Sequence, residues 1–215
     1  MDDTDFDMRA AMAESVRGRE GAWALVEGFA AHWGQPLGPG AGFTDAELDA
    51  AETRLGLRLP AALREAYRLF GRRADLTSNQ DVLLTPDELY VLDGALVYRA
   101  ENQGCAHWGV LLEELGREDP PTVVRPDLFD KSEERWEPWE ERFSTAAAVM
   151  ALYEKALEDD DLSLELDPEE LPEGVEELPP LGRGLRWYLG RDVLVMVMEG
   201  FAVGRARTEQ AAEDF

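Results

Sequence analysis

The chain has 215 residues, enough for one domain or a domain with an appendage, and its 45% hydrophobic content can bury a sizeable core. Its 46 Asp and Glu against 21 Lys and Arg give a formal net charge of −25, which argues against direct binding to DNA, RNA or anionic membranes and for attraction to basic partners. A single cysteine, Cys105, excludes an intrachain disulfide framework and a multi-cysteine zinc site, and no run approaches the roughly 20 apolar residues of a membrane-spanning helix.

The start Met1-Asp2-Asp3-Thr4-Asp5 lacks the basic, then apolar, pattern of a secretory signal, so a cytoplasmic location is expected. The absence of Ile and the presence of only two Lys, Lys131 and Lys155, leave a second origin of the acidity open: genome bias or adaptation to a salty cytoplasm.

Residues 5–33 carry a helical pattern, with Phe6, Met12, Val16, Trp23, Val26 and Phe29 among alanines and charges. Gly18 and Gly21 are expected to divide it into two helices, because glycine costs about 1 kcal/mol inside a helix relative to alanine. A turn-rich connector, residues 34–40, follows. Thr44 and Glu47 have the spacing of a capping box, Phe43 and Leu48 that of a hydrophobic staple, and Gly56 is the natural left-handed stop. Leu59-Pro60 opens the next helix, with proline expected in the first turn; Leu63, Ala66, Tyr67 and Phe70 form its apolar stripe, and Gly71 ends it.

From Asp81 the period shortens. Leu89–Leu92, Asp93-Gly94 and Ala95–Tyr98 read as a hairpin around a two-residue turn. Strands are expected near Trp108–Leu111 and Val123-Val124. Residues 133–141 read as irregular, and a helix capped by Ser144 or Thr145 carries Val149, Leu152, Tyr153 and Leu157. Residues 158–177 hold eleven Asp or Glu and no Lys or Arg; Leu162–Leu166 alternates like an edge strand, and the rest reads as a solvated linker. Strands follow at 185–188, 193–198 and 201–206, then a short helix over 208–215.

The order Phe43-Thr44, Glu47-Leu48, Ala51-Glu52, Leu55-Gly56, Leu59-Pro60, Leu63-Arg64, Tyr67 resembles the opening signature of the SUKH superfamily, in which an acidic helix ends in L-G-x-x-L-P and a second helix leads into a mixed sheet. Glu88-Leu89-Tyr90, Val97-Tyr98, Glu101–Gly104, Trp108–Val110 and Pro120–Val124 continue the likeness, which covers about residues 40–158. The resemblance implies an α+β fold with N-terminal helices on a mixed, mainly antiparallel sheet. Around that core lie an N-terminal helical extension (1–35), an acidic linker or edge strand (158–180) and a C-terminal β segment with a short helix (181–215). The family includes fungal regulators of cell-wall synthesis and bacterial immunity proteins that bind and block a toxin. The likeness therefore implies a non-enzymatic protein binder without specifying its partner; the acidic charge points to a basic toxin domain, and the residue spacings show no cofactor or metal motif.

Two readings compete: a regulatory scaffold of the same family without a toxin, and a hydrolase using Cys105 or paired carboxylates. His107 lies two residues from Cys105, on the same face if both are in one strand, but no motif supplies an orienting group. Cys105 otherwise reads as a small, half-buried strand residue. His32, beside Trp33, falls at an expected helix end. The candidate partner-binding residues are Trp136 and Trp139, aromatic among acids, with Glu133, Glu134, Asp159, Asp160 and Asp161. The tryptophans have a structural alternative as plugs between sheet and helix.

Overall fold

A computed structural model describes residues 6–215; the acidic start and the first residue of the expected 5–33 helical stretch lie outside the described residues. The chain begins with α1 (Met8–Ser15) and α2 (Arg19–Trp33). Gly18 sits at the start of α2, where a break was expected, but Gly21 lies inside the helix. A Cβ there would come 2.3 Å from the carbonyl oxygen of Glu14, so Gly21 permits α1 to touch α2 and does not break either.

The capping box is present in both directions on α3 (Asp45–Leu55): the Glu47 N–H donates to Thr44 Oγ1 (3.3 Å), and the Thr44 N–H donates to Glu47 Oε2 (2.9 Å). Gly56 closes α3 at φ +68°. Pro60 stands just ahead of α4 (Ala61–Phe70), as its cap residue and not inside its first turn. The stripe Leu63, Ala66, Tyr67 and Phe70 is buried. A single turn, α5 (Ala74–Thr77), leads into the first sheet.

That sheet comprises β1 (Asp81–Leu83), β2 (Tyr90–Leu92), β3 (Ala95–Glu101), β4 (Ala106–Leu111), β5 (Val123–Pro126) and β6 (Glu137–Pro138). Its pairings are all antiparallel, in the order β1-β3-β4-β5-β6, with β2 beside the N-terminal half of β3. The β2–β3 turn has Asp93 at φ +42° and Gly94 at +81°, the two left-handed residues a tight hairpin needs. The segment expected to be irregular contains β6, an edge strand that pairs Pro138 with Val123.

Helix α6 (Phe143–Ala156) lies against α2, α4 and α5 on one side and the second sheet on another. Neither Ser144 nor Thr145 caps it. Ser144 donates its N–H (2.9 Å) and its hydroxyl (2.6 Å) to Asp119, so the cap comes from a carboxylate 25 residues upstream.

The C-terminal strands make their own sheet: β7 (Ser163–Leu166), β8 (Glu176–Glu177), β9 (Arg186–Leu189), β10 (Val193–Met198) and β11 (Phe201–Ala206), ordered β7-β11-β10-β9-β8. The acidic run thus supplies both edges of this sheet, where a linker with one edge strand was expected. Thr208 caps α7 (Glu209–Asp214). The fold is α+β with two antiparallel sheets. One continuous core joins Met8, Met12, Leu25 and Phe29 to Phe70, Leu96, Phe143, Leu152, Trp187 and Met196, so the N-terminal helices are part of the main body and not an extension.

Candidate functional site

Alternation along β3 should place Val97 and Arg99 on one face and Leu96 and Tyr98 on the other. A bulge intervenes: Val97 pairs with Gly109, yet Arg99 pairs with Trp108. One extra residue reverses the alternation, so Arg99 joins Leu96 and Tyr98 on the helix-facing side. Asp81, paired with Glu101 on the adjoining strand, comes to the same side.

Arg99 meets two carboxylates there. Its Nη2 donates to Asp81 Oδ2 (2.9 Å) and to Glu154 Oε1 of α6 (2.5 Å), with the three side chains 8%, 5% and 0% exposed. Glu154 also accepts the backbone N–H groups of Asn79 (2.8 Å), Gln80 (2.6 Å) and Asp81 (3.2 Å). The guanidinium carbon lies 4.6 Å from the Trp108 ring centroid and 5.4 Å from that of Tyr153. One cation thus serves two buried carboxylates. Burial pushes the Asp81 carboxyl up to about 6 against the pull of Arg99, and Glu154 and Glu101 add to the rise.

This cluster forms part of the wall of a cleft of about 380 Å³ between the first sheet, α6 and the turns of the second sheet. Tyr98, Trp108, Trp139, Tyr153, Leu185 and Met198 make it mostly apolar, while Asp81, Glu101, Arg183 and Glu199 supply charge. Trp139 stands edge-on to Trp108, with centroids 6.3 Å apart. Burial drives the Tyr153 hydroxyl up to about 12, so it remains a neutral donor. The Nε–H groups of Trp108 and Arg99 are buried without an acceptor among the described residues. A larger depression of about 710 Å³ beside α3 is lined by Asp49, Glu52, Arg58 and their neighbours and has no aromatic wall.

The sequence-based candidates fall in three places. Trp139 lines the cleft and packs against the core. Trp136 lies on the opposite face of the sheet: its Nε1 donates to the Leu92 carbonyl (3.2 Å), and its ring covers Gly109, where a Cβ would stand 3.3 Å away. Both are half-buried, and each has a packing task.

Glu133 is exposed, but Glu134 is engaged by Lys131 (2.8 Å), the Leu128 N–H (3.0 Å) and Arg125 (3.2 Å), which hold its carboxyl down to about 2. Asp160 is equally committed, in a two-pronged pair with Arg205 (2.5 and 2.8 Å) that keeps its pKa low. Asp159 and Asp161 are exposed. Glu134 and Asp160 therefore serve different sheets, one anchored to β5 and the other to β11.

Cys105 is exposed in the turn before β4, and not half-buried within the strand. His107 has its Nδ1 3.2 Å from the Tyr90 hydroxyl, and burial together with Arg125 lowers its pKa. His32 sits in the last turn of α2, its ring 5.7 Å from those of Phe6 and Trp33. Among the described residues, no group of three or more His, Cys, Asp or Glu is arranged to hold a metal ion, and no helix is long and apolar enough to cross a membrane.

Sequence reasoning missed Asp81, Arg99 and Glu154. The available signal was a charge embedded in each of two apolar stretches: Arg99 behind Leu96-Val97-Tyr98, and Glu154 behind Val149–Tyr153. It also missed Phe129, a fully exposed aromatic between Asp127 and Asp130. No family model matches the chain, and no curated protein or solved structure matches it either.

Proposed function

We propose that this protein is a non-catalytic binding module of the immunity type, which neutralises a basic toxin domain by binding it. The distribution of charge carries this reading. Most of the cations among the described residues are drawn into ion pairs within the fold, among them Arg19, Arg64, Arg73, Arg99, Arg125, Lys155 and Arg205. The exposed surplus is acidic. Asp159, Asp161, Glu165, Asp167, Glu169, Glu170 and Glu173 all face solvent along the second sheet and its approach. A surface of that kind speeds encounter with a basic partner and repels nucleic acid.

The SUKH-like signature over Phe43–Tyr67 supports the class, and the exposed Phe129 offers an apolar anchor of the kind interfaces use. Co-expression tests the reading. An immunity protein restores growth to cells carrying its toxin, whereas a scaffold of the same family leaves them inhibited. Recovery of no basic protein partner, at low or high salt, contradicts it.

A further inference from the structure

We propose that the cleft between the first sheet, α6 and the second sheet receives one arginine or lysine side chain of the basic protein partner, its charged head set against Asp81 and its stem between Trp139, Tyr153 and Met198. This rests on the protein-binding reading and gives it a docking point.

Charge is the first ground. Glu154 is answered by three backbone N–H groups and Arg99, whereas Asp81 has a single backbone donor, the Asn102 N–H, and, among the described residues, one side-chain donor, the Arg99 Nη2 it shares with Glu154. The wall and its base hold Asp81, Glu101, Glu154 and Glu199 against Arg99 and Arg183. A buried carboxylate with half a counter-charge is costly, and a second cation beside it relieves that cost. Shape is the second ground. At about 380 Å³ the cleft is at the lower end of the range for small-ligand sites, about 300–1,000 Å³, and fits one long side chain with its adjoining backbone. Aromatic rings and a thioether line the approach, a surface on which an aliphatic stem and a cation both rest well. Arg183 at the rim selects a peptide over a simple amine, because a peptide also presents carbonyl acceptors.

The test titrates the full chain with a blocked pentapeptide bearing a central arginine, and with its citrulline counterpart, which has the same shape without the charge. The indole N–H shifts of Trp108 and Trp139 report occupancy. The arginine peptide is expected to shift both and to bind about tenfold or more tighter than the citrulline peptide. Asp81→Asn and Trp139→Ala should each weaken it about fivefold or more, while the double change Glu20→Gln, Glu27→Gln, at two exposed positions of α2, leaves it within about twofold. Equal binding of the two peptides, or indifference to Asp81→Asn, overturns the proposal. So does spermidine displacing the arginine peptide at lower concentration than a lysine peptide does, which marks a small-amine site.

Met198→Arg, which fills the cleft from its rim, separates the two levels of inference. A basic protein that binds this variant as tightly as the unaltered chain removes the cleft from the interface and leaves the binding reading intact. Failure of any basic protein to bind the unaltered chain removes both.

Discussion

Asp81 and Glu154 share one guanidinium, yet their surroundings differ enough to predict opposite responses to neutralisation. Glu154 is fully buried and accepts three backbone N–H groups in addition to Arg99, so Glu154→Gln should cost about 3–5 kcal/mol in denaturant unfolding, the range for breaking a buried pair. Asp81 behaves otherwise. Its carboxyl rises from 3.8 to about 6 on folding, so between those values the native state holds more protons than the unfolded chain, and stability falls as pH rises through the window. Above about pH 6 the ionised group opposes folding. Asp81→Asn should then raise stability at pH 7.5 by about 1–3 kcal/mol and flatten the pH 4–6 slope. Loss of stability on Asp81→Asn at pH 7.5 would show that the pair with Arg99 outweighs burial. These residues were hidden in the sequence for a physical reason. Period-2 alternation is the rule available to a reader, and the bulge at Tyr98, which nothing in Ala95–Glu101 announces, reverses it and turns Arg99 inward.

Elements whose ends are set by neighbouring residues were the legible ones. The Thr44–Glu47 box, the Gly56 stop and the Asp93-Gly94 turn all involve contacts within a few residues, and each is present. Thr44→Ala should cost about 1 kcal/mol, read as a shifted urea midpoint with an unchanged slope. Where the determinant is remote, local reading failed. Helix α6 takes its cap from Asp119, and Gly21 matters for what α1 brings against it.

The acidic run shows the same limit at the level of a strand. Its composition reads as solvated linker, but Glu158 and Asp160 converge on Arg205, which is 3% exposed, and this pins the entry to β7 against β11. Arg205→Met keeps the aliphatic stem while removing the charged donors. It should lower stability by about 2 kcal/mol and speed hydrogen exchange of the β7 amides ahead of those of β10. Acidic side chains on both outer strands also discourage edge-to-edge pairing with a second sheet.

For the whole molecule, composition established the sign and size of the charge, and the fold shows how it is arranged: cations inside ion pairs, surplus acids outside. Such a surface acts mainly on encounter. Association with a basic protein should slow about tenfold or more as salt rises from about 0.05 to 0.5 M, with dissociation much less affected. Substitution of Asp159 and Asp161 should reduce that salt dependence in stopped-flow association. The proposed mode of action is the grip of a basic protein, without turnover. Its most direct measurement is isolation of the chain with its native partner, followed by kinetics of the reconstituted pair at low and high salt. A stoichiometric basic protein whose toxicity disappears in the complex is the predicted result. Substrate turnover by the purified chain alone, or the absence of any protein partner at either salt, would contradict it.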